Sequence, residues 1–246
     1  MPRFFIELSY KGTVYAGFQI QKNANSIQAE VEKALTIFFK TPLVLTGSSR
    51  TDAGVHALQN FFQVDTAILP GPPLLKKAVY NLNAILPADI VVKRIYEVPG
   101  QLHCRFNAIQ REYQYFIYQH KNPFLACSAY YYPYTLNFQL LQQAASVLLN
   151  FQDFSSFSKR NTQVKSFICN IAASSWAQNE NGFIYTVKAN RFLRGMVRGL
   201  VGTMLRVGTG KLTIAEFTEL IERKNAAKTD FSAPPQGLFL VSVQYK

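Results

Sequence analysis

Eight consecutive residues of this 246-residue chain gather the side chains best suited to chemistry: Ser49-Arg50-Thr51-Asp52-Ala53-Gly54-Val55-His56. One carboxylate lies two residues from a guanidinium, with hydroxyls on either side and an imidazole closing the run. A lone carboxylate beside a cation can act as a nucleophile or a base. It can equally be local architecture, because Thr and Asp before a small residue often cap a turn, and Arg50 can be its ion-pair partner. On residue types alone both readings stand. His56, His103 and His120 form no triad and no metal spacing and read as structural. Cys104, Cys127 and Cys169 are odd in number and form no CxxC pair, which argues against a disulfide framework and a zinc ribbon. No GxxxxGK[ST] loop is present, which argues against phosphoryl transfer.

Charge indicates the partner. Lys plus Arg number 26 and Asp plus Glu 14, a net charge of +12. Residues 1–100 carry 10 cations against 7 acids, and residues 101–246 carry 16 against 7. Between Asn181 and Ala215 there is no acid at all. Such a surplus calls for a polyanion. An aromatic content of 14% favours RNA, whose exposed bases stack on rings. No apolar run of about 18 residues offers a membrane span, and Glu7 interrupts any secretory segment at the N-terminus. The expectation is a soluble, cytoplasmic chain in a reducing compartment.

The elements that must hold the 49–56 segment follow from periodicity. Phe4, Ile6, Leu8 and Tyr10 alternate with Phe5, Glu7 and Ser9, which predicts a strand with one buried face. Asn25 and Gln28 predict a capping box for a helix carrying Ile27, Val31, Ala34, Leu35 and Phe38. Pro42 ends it, and Val44–Leu45 opens a short strand. A strand over 58–65, a break at Pro70–Pro73, a helix through Leu74, Leu75, Ala78, Val79 and Leu82, and a strand over 90–98 complete a β-α-β-β-α-β order. Pro99–Gly100 then divides residues 1–100 from 101–246. The second part reads as a strand with Tyr113, Tyr115 and Ile117 on one side, a helix through Leu136–Leu148, and a hairpin turning at Asn181-Gly182. A helix over 192–207, one opened by a Thr213/Glu216 capping box, and a strand over 238–245 follow. On the 192–207 helix, Arg191, Arg194, Arg198 and Arg206 fall within about 120° of one another, a phosphate-binding stripe or a solvated face. The fold expected is α+β: two ferredoxin-like (RRM-like) halves with adjoining antiparallel sheets and a central cleft.

Several of these segments, in order and across almost the whole chain, resemble the tRNA pseudouridine synthase A (TruA) family. Arg50-Thr51-Asp52-Ala53-Gly54-Val55-His56 resembles its active-site loop. Tyr15-Ala16-Gly17-Phe18-Gln19-Ile20-Gln21 and Ser26-Ile27-Gln28 resemble its early segments. His103-Cys104-Arg105-Phe106 and Arg111-Glu112-Tyr113-Gln114-Tyr115 resemble the part that carries a base-stacking tyrosine. Asp153–Phe157, Asn190–Arg198 and Ala233–Leu238 resemble its later motifs. Ser49 stands where the family usually has Gly, Pro235 replaces a small residue, Lys165 replaces a common arginine, and the stretch 159–170 is shorter than usual.

The resemblance implies an enzyme that isomerises uridine to pseudouridine at positions 38, 39 and 40 of the tRNA anticodon stem-loop, as a homodimer, without cofactor or metal. It makes Asp52 the essential carboxylate and Arg198 its ion-pair partner. It places Tyr113 on the flipped uracil, Arg50 in the space the base vacates and Leu238 on the pocket wall. It gives RNA-binding roles to Arg105, Arg191 and Arg194. Two rivals use the same residues differently. A non-catalytic RNA-binding protein with tandem RRM-like sheets would not need Asp52, and a related pseudouridine synthase would act on another RNA.

Overall fold

The computed structural model describes residues 1–69, 71–159, 164–224 and 226–246. They form two compact units, residues 1–109 with 240–246 and residues 110–239. The chain runs through β1 (Arg3–Tyr10), α1 (Ile27–Phe39), β2 (Thr46–Gly47), β3 (His56–Asp65), α2 (Pro72–Ile85), β4 (Ile90–Val98) and β5 (Ala108–Tyr118). It continues through β6 (Tyr130–Tyr131), α3 (Phe138–Val147), β7 (Ile171–Asn179), β8 (Gly182–Ala189), α4 (Met196–Gly208), α5 (Ile214–Glu222) and β9 (Leu238–Tyr245). It passes from one unit to the other inside β5 and back inside β9. The architecture is a mixture of helix and strand, with a sheet that is itself mixed.

In the first unit β1 is central, antiparallel to β3 on one side and β4 on the other, and β2 pairs with the far side of β3. Both faces of β1 are buried, not one. Ile6 and Leu8 are fully enclosed on one side, and Phe5 and Glu7 are buried on the other. The second face is closed by rings that sequence periodicity could not supply: Phe5 lies 5.2 Å from Tyr245, 6.1 Å from Tyr96 and 6.2 Å from Phe61. Glu7 survives burial because Arg94 pairs with it and the Gln59 amide donates to it. The N-cap of α1 is Ser26, one residue beyond the expected Asn25, and its hydroxyl accepts from Ala29 N–H at 3.2 Å. The short strand is Thr46–Gly47, not Val44–Leu45. α2 follows Gly71 with prolines at its first turn, where a missing N–H costs nothing. Pro70, the first residue of the expected break, lies outside the described residues.

In the second unit β8 lies between β5 and β7, antiparallel to both, while β6 runs parallel to β5. The hairpin turns at Asn179–Gly182 as the Asn-Gly pair predicts, and its first arm begins at Ile171. Thr213 and Glu216 form the expected capping box of α5. The largest correction concerns α4. It begins at Met196, after Gly195 adopts φ +73°, so Arg191 and Arg194 precede the helix. Within α4 every residue but Arg198 and Arg206 is buried. The four-arginine stripe does not exist: a buried helix carries two arginines, and a bend before it carries the other two.

Candidate active site

Asp52 sits in a loop whose even and odd residues have opposite duties. Ser49 and Thr51 are buried, Arg50 is exposed and Asp52 is half-buried. The buried pair is anchored from β1 and β3. The Asn60 carboxamide brackets Ser49, accepting its N–H at 3.3 Å and donating to its carbonyl at 2.8 Å. The same Asn60 amide donates to the Tyr10 hydroxyl at 3.1 Å, and Tyr10 lies 2.7 Å from Thr51 Oγ1. Asn60 is itself fully enclosed, so this polar network must be satisfied internally, and it fixes the loop backbone. Ser49 keeps ordinary negative φ, so serine in place of the family's glycine brings no backbone strain.

The loop is held from its other side by the segment after β1. Thr51 O accepts from Phe18 N–H at 3.1 Å, and Gly54 N–H donates to Tyr15 O at 3.3 Å. The turn closes on itself through Val55 N–H to Asp52 O at 3.2 Å. Gly17 lies at φ +120°, and a Cβ there would stand 3.1 Å from Thr51 O. At Gly12 the approach is closer: a Cβ would fall 2.0 Å from Val55 O. His56 is buried and its Nδ1 accepts the Gly12 N–H at 3.0 Å, the structural role expected of it. Phe18 stacks on Phe62 at 4.4 Å beneath the loop. The outcome is a rigid turn that presents one guanidinium and one carboxylate.

The second unit holds the remaining predicted residues. Tyr113 on β5 is buried, its ring edge-on to Phe192 at 5.0 Å. Phe192 belongs to the bend before α4, which Asn190 pins by donating no freedom to its neighbours: its Oδ1 accepts from Asn170 N–H at 2.8 Å and Arg191 N–H at 2.9 Å, and its carbonyl accepts from Arg111. Arg194, exposed in that bend, accepts Lys159 N–H at its carbonyl. Arg198, half-buried in the first turn of α4, donates from Nε to Ala233 O at 2.6 Å. The next carbonyl, Pro234 O, accepts from Tyr115 OH at 2.7 Å. Burial raises the Tyr115 phenol far above its ordinary value against the opposing charge of Arg198, so it stays a donor. Leu238, buried, follows four residues later at the start of β9.

Arg50 and Asp52 therefore belong to the first unit, as does Arg105, exposed between β4 and β5. Tyr113, Arg191, Arg194, Arg198 and Leu238 belong to the second. Residue reading missed Asn60, Tyr10 and Tyr115. Asn60 carried little signal, being one of three carboxamides in β3 with Gln59 and Gln63. Part of the short 159–170 stretch, residues 160–163, lies outside the described residues. Among the described residues no cluster of His, Cys, Asp or Glu could hold a metal, and no helix is long and apolar enough to cross a membrane.

A fixed carboxylate and a guanidinium on one loop, with basic and aromatic side chains elsewhere in a strongly cationic chain, suit an RNA-directed enzyme. Comparison with known proteins identifies the family. Residues 144–246 match the family described as tRNA pseudouridine synthase. The chain is 44% identical to the tRNA pseudouridine synthase A of Bacteroides fragilis, covering all of this chain and 97% of that protein. It is 42% identical to that of Parabacteroides distasonis over all of this chain and 96% of the relative. It is 34% identical to that of Staphylococcus aureus over 98% of this chain and 90% of the relative. The chain belongs to the tRNA pseudouridine synthase family, enzymes that isomerise uridine to pseudouridine in tRNA.

Proposed function

We propose that this enzyme acts on uridines 38, 39 and 40 of the tRNA anticodon stem-loop, as a cytoplasmic homodimer needing no cofactor. Each half follows a ferredoxin-like plan in this reading, supported in the first unit by β1 lying between β4 and β3, by the short β2 pairing with β3, and by helices between β1 and β2 and between β3 and β4. The reaction breaks N1–C1′, turns the uracil and joins C5 to C1′. The proton leaves C5 and N1 gains one, so nothing is oxidised and no atom is added.

Asp52 is the essential carboxylate, as nucleophile toward C1′ or C6 or as base toward C2′–H. The observation that carries this role is the anchoring of Thr51 by Tyr10 and Phe18 and of Ser49 by Asn60, which holds the loop backbone while leaving the Asp52 carboxylate half-exposed. In this reading Arg198 is the ion-pair partner of that carboxylate, the role the family resemblance implies. Its Nε is committed to Ala233 O, which aims the terminal amino groups. Flipping the base from a stacked helix costs a few kcal/mol. Tyr113 offsets part of this by stacking, Arg50 fills the vacated space, and Leu238 closes the other side. Arg105, Arg191 and Arg194 hold phosphates.

The test is tritium release from unmodified tRNA labelled at uracil C5. The natural sequence releases tritium, Asp52→Asn binds tRNA but releases none, and Arg198→Ala loses turnover far more than binding. An Asp52→Asn enzyme with normal release, or a natural enzyme with none, overturns the assignment. Sequencing the modified positions in product tRNA decides whether they are 38–40.

A further inference from the structure

The loop between β4 and β5 exposes a phenylalanine on a frame built to keep it exposed. Phe106 is 77% exposed. The loop backbone has little freedom to hide the ring. Leu102 O accepts from Arg3 at 2.8 Å. Cys104 is fully enclosed, its N–H donates to Gln63 Oε1 at 3.0 Å, and its carbonyl accepts from Tyr245 OH at 2.6 Å. His103 N–H donates to Asn107 Oδ1 at 2.8 Å and Asn107 N–H returns to His103 O at 3.1 Å, closing a turn around Phe106.

Two further flat groups join the ring. The His103 imidazole lies 4.4 Å from it, tilted by 43°, and the Arg105 guanidinium lies 5.9 Å from its centroid. His103 Nδ1 accepts the Arg105 N–H at 3.0 Å, which requires the ring to be neutral at that nitrogen. Burial and the charges of Arg3 and Arg105 lower its pKa, in the same direction. The nearby carboxylate, Asp65, is occupied by Arg3 at 2.7 Å. The cluster is therefore an aromatic ring, a neutral imidazole and a guanidinium held together at the surface. Its chemistry fits an unstacked nucleobase lying on the ring, with the guanidinium at the adjoining phosphate.

We propose that Phe106, with His103 and Arg105, is a stacking platform for a tRNA base other than the isomerised uridine. The inference rests on tRNA being the substrate, and assigns to Phe106 a share of binding and none of the chemistry. The probe is an unmodified tRNA transcript with the full chain, read by equilibrium binding and by tritium release. Phe106→Ala weakens binding about ten-fold, in line with loss of one stacked base, and leaves turnover at saturating tRNA within about two-fold. Phe106→Tyr and Phe106→Trp restore binding, and Phe106→Leu does not. Equal binding by the Ala variant overturns the proposal, and so does rescue by Leu, which would show a merely apolar contact. Light scattering without RNA covers the other occupant: a change of mass in Phe106→Ala would make the ring a contact between two copies of the chain. Failure of the natural chain to bind tRNA would instead count against the substrate reading, so the two failures are separable.

Discussion

Gly12 shows how one missing side chain sets the position of the turn that carries the proposed catalytic carboxylate. The residue has no chemistry, yet a Cβ there would lie 2.0 Å from Val55 O, an impossible contact with backbone and not with a flexible tip. Gly12→Ala must therefore push the 51–55 turn away from the end of β1. It would also disturb the Gly12 N–H bond to His56. The expected outcome is a fall in turnover of at least about ten-fold, since small displacements of a reacting group carry large rate penalties, with tRNA affinity nearly unchanged. Single-turnover tritium release and equilibrium binding on the same preparation check both halves. Preserved turnover would show that the turn tolerates displacement. The same logic explains why Ser49 is harmless: it needs no positive φ, and Asn60 holds its backbone through groups every residue possesses.

At the scale of elements, legibility tracked locality. β4 and β9 were readable to the residue because β-branched and alternating positions mark them. The α5 capping box was readable because its two partners lie three residues apart. α4 was misplaced by four residues because Arg191–Arg198 continues the helical spacing, and only the positive φ of Gly195 shows that the chain bends there. For the site, the residue types of Arg50 and Asp52 marked the loop, and the family resemblance supplied their roles. The Tyr10–Asn60–Thr51 network was hidden because its members meet only when β1 and β3 pair. The bonds of Tyr115 and Arg198 to Pro234 and Ala233 were hidden for the same reason, spanning 119 and 35 residues. Those two adjacent bonds hold the strap that leads into Leu238. Tyr115→Phe removes one and leaves a carbonyl without its donor, a cost of about 1–3 kcal/mol. Thermal unfolding should register that loss. Turnover should fall with little change in KM, because the strap holds Arg198. If KM rises and turnover does not, the strap serves binding instead.

Across the whole molecule the excess of cations divides into groups with different physical duties, and salt separates them. A cation touching a phosphate releases counterions, so affinity falls with salt by about 0.7–0.9 logarithmic units per contact for each ten-fold rise. Arg105, Arg191 and Arg194 are assigned to phosphates, from the β4–β5 loop and the bend before α4. Arg198 is assigned to a carboxylate, half-buried and already tied to Ala233. Measured over a range of potassium chloride, each of Arg105→Ala, Arg191→Ala and Arg194→Ala should flatten the slope of log affinity against log salt by about one contact. Arg198→Ala should leave the slope unchanged while turnover collapses. A flattened slope in Arg198→Ala would place that guanidinium on the RNA backbone and remove it from the proposed pairing with Asp52. An unchanged slope in Arg191→Ala or Arg194→Ala would mean that the bend lies away from the phosphates, leaving the other exposed cations to carry the charge of the RNA.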